Sequence, residues 1–207
     1  MKPYHHGSLH QALLEAAETI LDRDGIAGLT LRAAAREAGV SHGAPAHHFG
    51  DLSGLLTELA ASGFVRLRET VLAEVEEAAA QADSPVYATA LGRGYIRFAR
   101  AHPGVFLLMF RSERLNWSSP SLSVAGPAAF ALLSSEASGK ATDRSDFETL
   151  VVASTRWSLM HGLATLIIDG RLEAMAQNVP GANLDELIGQ IISRGLIDGT
   201  GIDTARS

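Results

Sequence analysis

Two short helical segments, separated only by Gly39-Val40-Ser41, place the strongest constraint on the fold of this chain. Thr30 is a good N-cap for a helix over residues 31–38, which is rich in alanine and ends at Gly39. Ser41 can cap a third helix that reaches Phe49. Because so tight a connection makes two helices cross steeply, the spacing predicts a helix-turn-helix arrangement.

The remaining sequence is patterned for helices. Apolar residues recur at helical spacing after the N-cap Ser8, and this pattern stops at Gly25. Pro103 stands where a first-turn proline belongs. We expect further helices at residues 52–82, 86–101, 105–115, 128–137, 145–170 and 184–196, with loops or broken helix at residues 116–126 and 138–144. Since no segment alternates with a period of two, no strand is predicted and the fold class is all-α.

Composition restricts the kinds of site that the chain can build. With 46% apolar residues in a length of 207, the chain can bury a full core, and the absence of cysteine excludes disulfides and thiolate zinc sites. The N-terminus lacks the apolar run of a signal peptide, and no uncharged apolar stretch of about 18 residues occurs. We therefore expect a soluble cytoplasmic protein with no membrane contact. The net charge of −6 means that contact with nucleic acid would require locally placed cations.

Residues 29–56, LTLRAAAREAGVSHGAPAHHFGDLSGLL, resemble the DNA-binding signature of TetR-like transcriptional regulators. Residues 4–9 (YHHGSL) and 157–162 (WSLMHG) are also similar to the subgroup with a WHG-type C-terminal domain. The resemblance implies a three-helix helix-turn-helix head at residues 1–51, joined by a long helix to a helical effector-binding and dimerisation body at residues 52–207. The resemblance further implies a ligand-responsive regulator. Because members of the family are commonly repressors, we expect a repressor that a small molecule releases from its operator.

In such a module, the start of the recognition helix meets base edges in the major groove. Ala44 can contact a thymine methyl group, while His47 and His48 lie near the helix end, where each ring can donate to phosphate or base. The candidate DNA-binding residues are Thr30, Arg32, Ser41, His42, Gly43, Ala44, Pro45, His47 and His48.

Two positions depart from the pattern of the family. Ala46 stands where a tyrosine or another phosphate-contacting group is usual, and Asp51-Leu52 stand where the next helix usually carries a lysine. Each missing phosphate contact removes about one unit of salt slope, so we expect weaker or less salt-dependent operator binding than in a typical relative. A helical small-molecule or partner-binding protein that has lost operator recognition therefore stays open as the alternative.

Aromatic and apolar residues of the body are candidates for an effector pocket and for a dimer interface. Trp157 and His161 share a helix face with Met160, so an indole donor and an imidazole lie on an otherwise apolar surface. Core packing is the alternative for most of these aromatic residues, and a structural hydrogen bond is the alternative for His161. The candidate pocket residues are Tyr95, Phe98, Phe106, Phe110, Trp117, Phe130, Trp157, Met160 and His161. The candidate dimer residues, which follow from the resemblance, are Leu166, Leu184, Leu187, Ile188, Ile191 and Ile192.

The chain carries none of the usual enzyme signatures, such as a nucleophile elbow, a phosphate loop or a zinc-protease motif. His6 and His10 have metal-like spacing, but Gly7-Ser8 interrupt or start the helix between them. We therefore expect no catalytic residue, no metal and no cofactor. The expected partners are double-stranded operator DNA, a small-molecule effector and a second copy of the chain, because a two-fold dimer reads a pseudo-palindrome.

Overall fold

The computed structural model describes residues 6–79, 86–110, 112–134 and 147–197, and within these ranges all regular structure is helical. The predicted all-α fold is therefore confirmed. Two 3₁₀ turns, Ser112–Arg114 and Ala131–Ser134, accompany the α-helices. The α-helices are α1 (His6–Gly28), α2 (Leu31–Glu37), α3 (Ala44–Phe49), α4 (Leu52–Ala79), α5 (Val86–Ala101), α6 (Pro103–Met109), α7 (Pro120–Phe130), α8 (Phe147–Ile168), α9 (Arg171–Ala176) and α10 (Leu184–Ile197).

The first two helices follow the sequence prediction closely. Gly25 breaks the helical backbone of α1 with a φ of 67°, although helical residues continue to Gly28. Thr30 caps α2 as predicted, because its Oγ1 accepts a hydrogen bond from the backbone amide of Ala33 at 3.0 Å. The prediction of Ser8 as the cap of α1 is wrong, since the helix begins at His6.

The turn before α3 is longer than predicted. Gly39 adopts a φ of 67°, as expected of a residue that ends a helix. The prediction that Ser41 caps α3 is wrong, because α3 begins at Ala44, with Gly43 in the cap position and no side-chain cap. Pro45 explains the difference. A helix capped at Ser41 would need the amide of residue 45 for its first backbone hydrogen bond, and proline has none.

Several later helices lie where the sequence predicts them: α4, α5, α8 and α10. Pro103 begins α6 as expected, but α6 ends at Met109 rather than at residue 115. Of the loop or broken helix predicted at residues 116–126, only residues 116–119 are not helical, because α7 begins at Pro120 and continues to Phe130. Ser119 caps α7 by accepting a hydrogen bond from the amide of Leu122 at 3.2 Å. The loop predicted at residues 138–144 lies outside the described residues.

The described residues fall into two compact units: the first comprises those between residues 6 and 65 and between 102 and 127, and the second comprises those between 66 and 101 and between 128 and 197. In the first unit α6 packs on α1. In the second, α5 packs against α8 and α10. The division into a DNA-binding domain at residues 1–51 and a body at residues 52–207 stays a prediction about function.

Polar contacts attach α6 to α1 within the first unit. The His102 Nδ1 lies 2.7 Å from the Glu18 Oε1, and the amide of Gly104 donates to the Asp22 carboxylate at 3.0 Å. Gly63 of α4 lies so close to α6 that a Cβ there would stand 2.6 Å from a methyl group of Val105. These contacts make residues 102–109 part of the core that supports the helix-turn-helix.

Candidate nucleic-acid interface and ligand site

The outer surface of the helix-turn-helix exposes most of the predicted DNA-binding residues. Pro45 is buried together with Phe49, so its ring anchors α3 to the unit. Ala44 and His48 are partly buried. The exposed members of the predicted set are Thr30, Arg32, Ser41, His42, Gly43 and His47. The structure therefore exposes one continuous stretch, from Ser41 to Gly43, directly before the start of α3.

A cluster of rings fixes α3 against α1. The ring of His10 in α1 lies 4.8 Å from that of Phe49 and 6.2 Å from that of His48, centroid to centroid. His47 and His48 are 5.6 Å apart, with His47 on the solvent side. The ring cluster therefore covers one part of the His48 side chain, and the other part is exposed to solvent. The sequence gives no signal for the contact of His10 with α3, because only the fold brings these helices together.

The junction of α3 and α4 gives Asp51, one of the two residues that depart from the pattern expected from the resemblance, a structural role. The Asp51 Oδ1 accepts a hydrogen bond from the Gly54 amide at 2.8 Å and so caps α4. A Cβ at Gly54 would collide with the carbonyl oxygen of Phe49, so only glycine fits this close approach. The side chain of Ala46 is exposed and carries no hydrogen-bond donor. At these two positions the structure has a methyl group and a helix cap.

The predicted pocket residues separate into two aromatic clusters. In the first unit, Phe110 lies 5.2 Å from Phe106 and 5.7 Å from Phe64, which in turn lies 6.1 Å from Trp117. In the second unit, Trp157 lies 6.0 Å from Phe130.

The second cluster, named here the WHG cluster, comprises Tyr95, Phe130, Trp157 and His161. The Trp157 ring is 5.8 Å from that of His161, whose Nδ1 is 3.1 Å from the Tyr95 hydroxyl. Phe98 and Met160 are fully buried in the same unit and belong to its core.

Burial sets the protonation of the WHG cluster. Burial raises the pKa of Tyr95 far above its ordinary value, against the opposing effect of a hydrogen bond with Trp157. Burial also lowers the pKa of His161 below its ordinary value of 6.5. Near neutral pH the phenol therefore keeps its proton and the imidazole is uncharged. The Tyr95 hydroxyl can then donate to Nδ1 of His161, in which case the other ring nitrogen carries the proton.

The predicted dimer residues differ in their exposure. Ile188 and Ile192 are buried, and Ile192 packs on α5 so closely that a Cβ at Gly92 would stand 2.7 Å from one of its carbons. These two residues therefore contribute to the core of their own subunit. Leu166 is exposed, and partly exposed side chains are found at Leu184, Leu187 and Ile191.

The apolar helix α8 leaves much of its surface uncovered. It is long and apolar enough to cross a membrane by length and composition alone, a test that core helices of soluble proteins also pass. Its exposed apolar side chains include Phe147, Leu150, Trp157 and Leu166. Apolar surface of this extent marks an interaction site more often than an ordinary monomer surface. Among the described residues, no group of three or more potential ligands could hold a metal ion.

The chain matches two family models. Residues 13–59 match the model described as bacterial regulatory proteins, tetR family, and residues 88–191 match the tetracyclin repressor-like, C-terminal domain. No curated protein matches the chain.

Solved structures of similar fold cover almost the whole chain. A protein of unknown function from Rhodococcus sp. RHA1 is 36% identical, with a TM-score of 0.73 and coverage of 95% of this chain and 97% of that one. The fatty acid degradation regulator FadR from Bacillus halodurans is 13% identical, with a TM-score of 0.63 and coverage of 93% and 97%. A TetR-family member from Streptomyces coelicolor A3 is 19% identical, with a TM-score of 0.53 and coverage of 90% and 97%.

Proposed function

Because the chain belongs to the TetR family of bacterial regulatory proteins, we propose that it is a ligand-responsive repressor that a small molecule releases from its operator. The exposed start of α3 carries the proposal. Ser41, His42 and Gly43 are exposed there and Ala44 is partly exposed, so this stretch of chain can approach base edges in the major groove. Arg32 and His47 flank this surface as donors to phosphate or base.

A gel-shift assay with the DNA upstream of the protein's own gene tests operator binding. Wild-type protein is expected to bind this duplex more tightly than a random duplex. Replacing Ala44 with glutamate should weaken specific binding, because a carboxylate then meets the negatively charged DNA. His47→Ala and His48→Ala should weaken it less. Equal binding of specific and random duplexes across salt concentrations would contradict the proposal.

The second candidate function is small-molecule or partner binding without operator recognition. The observation that favours it is the junction of α3 and α4, where Ala46 has no donor and the Asp51 carboxylate caps a helix. Two phosphate contacts are therefore missing from the head. This function would be preferred if the gel shift detected no specific duplex while the protein still bound small molecules.

We propose that α8 pairs two chains into a dimer. Ser158, Gly162 and Leu166 follow one another at helical spacing on the exposed side of α8, and a Cβ at Gly162 would meet nothing within 4 Å. A second copy of α8 or α10 can approach such a surface closely. Replacing Leu166 with glutamate should shift the protein towards monomer in sedimentation velocity, whereas Met175→Glu, at a more exposed apolar side chain on α9, serves as a control.

The effector site that we propose is the WHG cluster of the second unit. The exposed indole of Trp157 lies between the ring of Phe130 and the partly exposed imidazole of His161 in this chain of ring contacts. Such a lining suits a molecule with an apolar body and one hydrogen-bonding group. Ligand can release DNA only by binding one dimer geometry more tightly than the other, and α4 is the continuous helix that would transmit the change. Titrating ligand against operator and operator against ligand should therefore give the same coupling factor.

TetR-family proteins are transcriptional regulators and not enzymes. For this chain we propose no catalytic residue and no resident cofactor. Its proposed place of action is the cytoplasm, where a bacterial operator lies.

A further inference from the structure

An open groove of about 510 Å³ lies in the second unit between the end of α4, the outer face of α5 and the start of α10. This size falls within the range of small-molecule sites. The groove is lined by Glu74, Arg93, Ile96, Arg97, Arg100, Ala101, Asp185, Ile188, Gly189 and Ile192. We refer to it as the arginine groove.

The floor of the arginine groove is apolar. Ile96 of α5 and Ile188 and Ile192 of α10 are buried and meet there. Arg93 and Arg100 are seven residues apart on α5, so the charged wall runs for about 10 Å along the helix. A ligand in this groove therefore meets cations along one side and aliphatic carbon beneath.

Two carboxylates hold the guanidinium groups in place. Glu74, whose side chain is only 14% exposed, lies 2.6 Å from Nη1 of Arg97 and 3.6 Å from Nε of Arg93. Asp185 lies 2.7 Å from Nη1 of Arg100. Each of these contacts uses one nitrogen of a guanidinium that carries five N–H donors. Donors therefore remain on all three side chains, and the largely buried Glu74 orients Arg97.

The charges of the arginine groove do not cancel. Three guanidinium groups face two carboxylates, which leaves one excess positive charge in a chain whose net charge is −6. A single excess cation above an apolar floor is complementary to a monoanion with an apolar body. Inorganic phosphate would satisfy the donors but has no apolar body to lie against the isoleucine floor.

We propose that the arginine groove binds a small amphipathic carboxylate. Its carboxylate accepts hydrogen bonds from Arg93 and Arg97, and its apolar body lies over Ile96 and Ile192. The groove is separate from the WHG cluster. Gly195 of α10 packs on Leu159 of α8, whereas Gly189 lines the groove about 120° around the same helix. The inference goes beyond the proposed regulator function, because neither operator binding nor the WHG cluster takes part in it.

Gly189 offers a way to fill the arginine groove without disturbing the fold. A Cβ at this position meets nothing within 4 Å, and α10 gains helix propensity when its glycine is replaced. Gly189→Leu therefore places a side chain in the groove. Gln190→Leu adds the same side chain at the next, exposed position, which is not part of the lining, and is the matched control.

Calorimetric titration of the full chain with octanoate at low ionic strength tests the proposal. Wild type and Gln190→Leu should bind one octanoate per chain, and Gly189→Leu and Arg97→Gln should each weaken binding by about tenfold or more. Octan-1-ol, which lacks the charge, and inorganic phosphate, which lacks the apolar body, should each bind more weakly than octanoate. Circular dichroism checks that each variant is folded.

Three results would overturn the proposal. The first is a wild type that does not bind octanoate, and the second is unchanged affinity in Gly189→Leu. The third is phosphate or octan-1-ol binding as tightly as octanoate, which would reduce the groove to a bare anion site or an apolar surface. Should Arg97→Gln fail to fold, Gly189→Leu decides alone. The gel shift with the operator is independent, so failure here leaves the regulator function standing.

Discussion

Replacing Ala46 with lysine tests whether the outer surface of α3 meets the DNA backbone. Ala46 is exposed, so the new side chain begins in solvent and removes no side-chain hydrogen bond. It stands where TetR-like proteins usually carry a phosphate-contacting group. If α3 enters the major groove, Ala46→Lys adds one phosphate contact and strengthens operator binding at low salt.

The magnitude of the effect follows from counterion release. One further phosphate contact steepens the dependence of log K on log salt concentration by about 0.9. From about 50 to 200 mM salt, the advantage of Ala46→Lys over wild type should therefore shrink about 3.5-fold. Fluorescence anisotropy of a labelled operator duplex at four or more salt concentrations measures both slopes.

A matched variant separates position from net charge. Ala174 is exposed on α9, and Ala174→Lys adds the same charge outside the helix-turn-helix. Its salt slope should equal that of wild type. The reasoning is refuted if Ala46→Lys leaves the slope unchanged, or if both lysine variants steepen it equally.

Three further predictions concern stability, each measured by urea denaturation. Thr30→Ala should lower the free energy of unfolding by about 1 kcal/mol through loss of the α2 cap, while Thr30→Ser, which retains the hydroxyl, should lower it much less. Equal losses in the two variants would contradict the capping role. Because burial lowers the pKa of His161, this residue takes up a proton more readily in the unfolded chain than in the folded one. The free energy of unfolding should therefore fall as the pH drops below about 6.5, and His161→Gln should weaken this pH dependence. Gly63→Ala should lower the free energy of unfolding by about 1–3 kcal/mol, because the new methyl group collides with Val105, whereas Gly189→Ala should raise it by up to about 1 kcal/mol. If Gly63→Ala were the more stable of the two variants, the close packing at Gly63 would be refuted.

Local rules predict much of the helical framework of this chain. The Thr30 cap, the backbone of Gly39 and the proline at the start of α6 follow from side-chain chemistry within a few residues. The same rules misplaced the starts of α3 and α7. In each case a proline takes a first-turn position, Pro45 in α3 and Pro120 in α7, because a missing amide costs little there.

The surroundings of the candidate sites could not be predicted, because they depend on contacts between distant residues. His102 and Glu18 are separated by 84 residues, yet they join α6 to α1. Tyr95 and His161 are separated by 66 residues, and their hydrogen bond defines the WHG cluster. Periodicity shows that a side chain is buried but not which helix buries it. For this reason the sequence grouped nine aromatic and apolar residues into one pocket, and the structure divides them between two units.

The most direct test of whether α3 reads an operator is to select duplexes from a random-sequence pool and to footprint the protein on the selected duplexes. A dimer that presents two copies of α3 should select a pseudo-palindrome, with two protected major-groove segments about 34–36 Å apart or a multiple of that spacing. Ala44→Glu should abolish both protections together. Selection without sequence enrichment, or protection that survives Ala44→Glu, would contradict operator reading by α3.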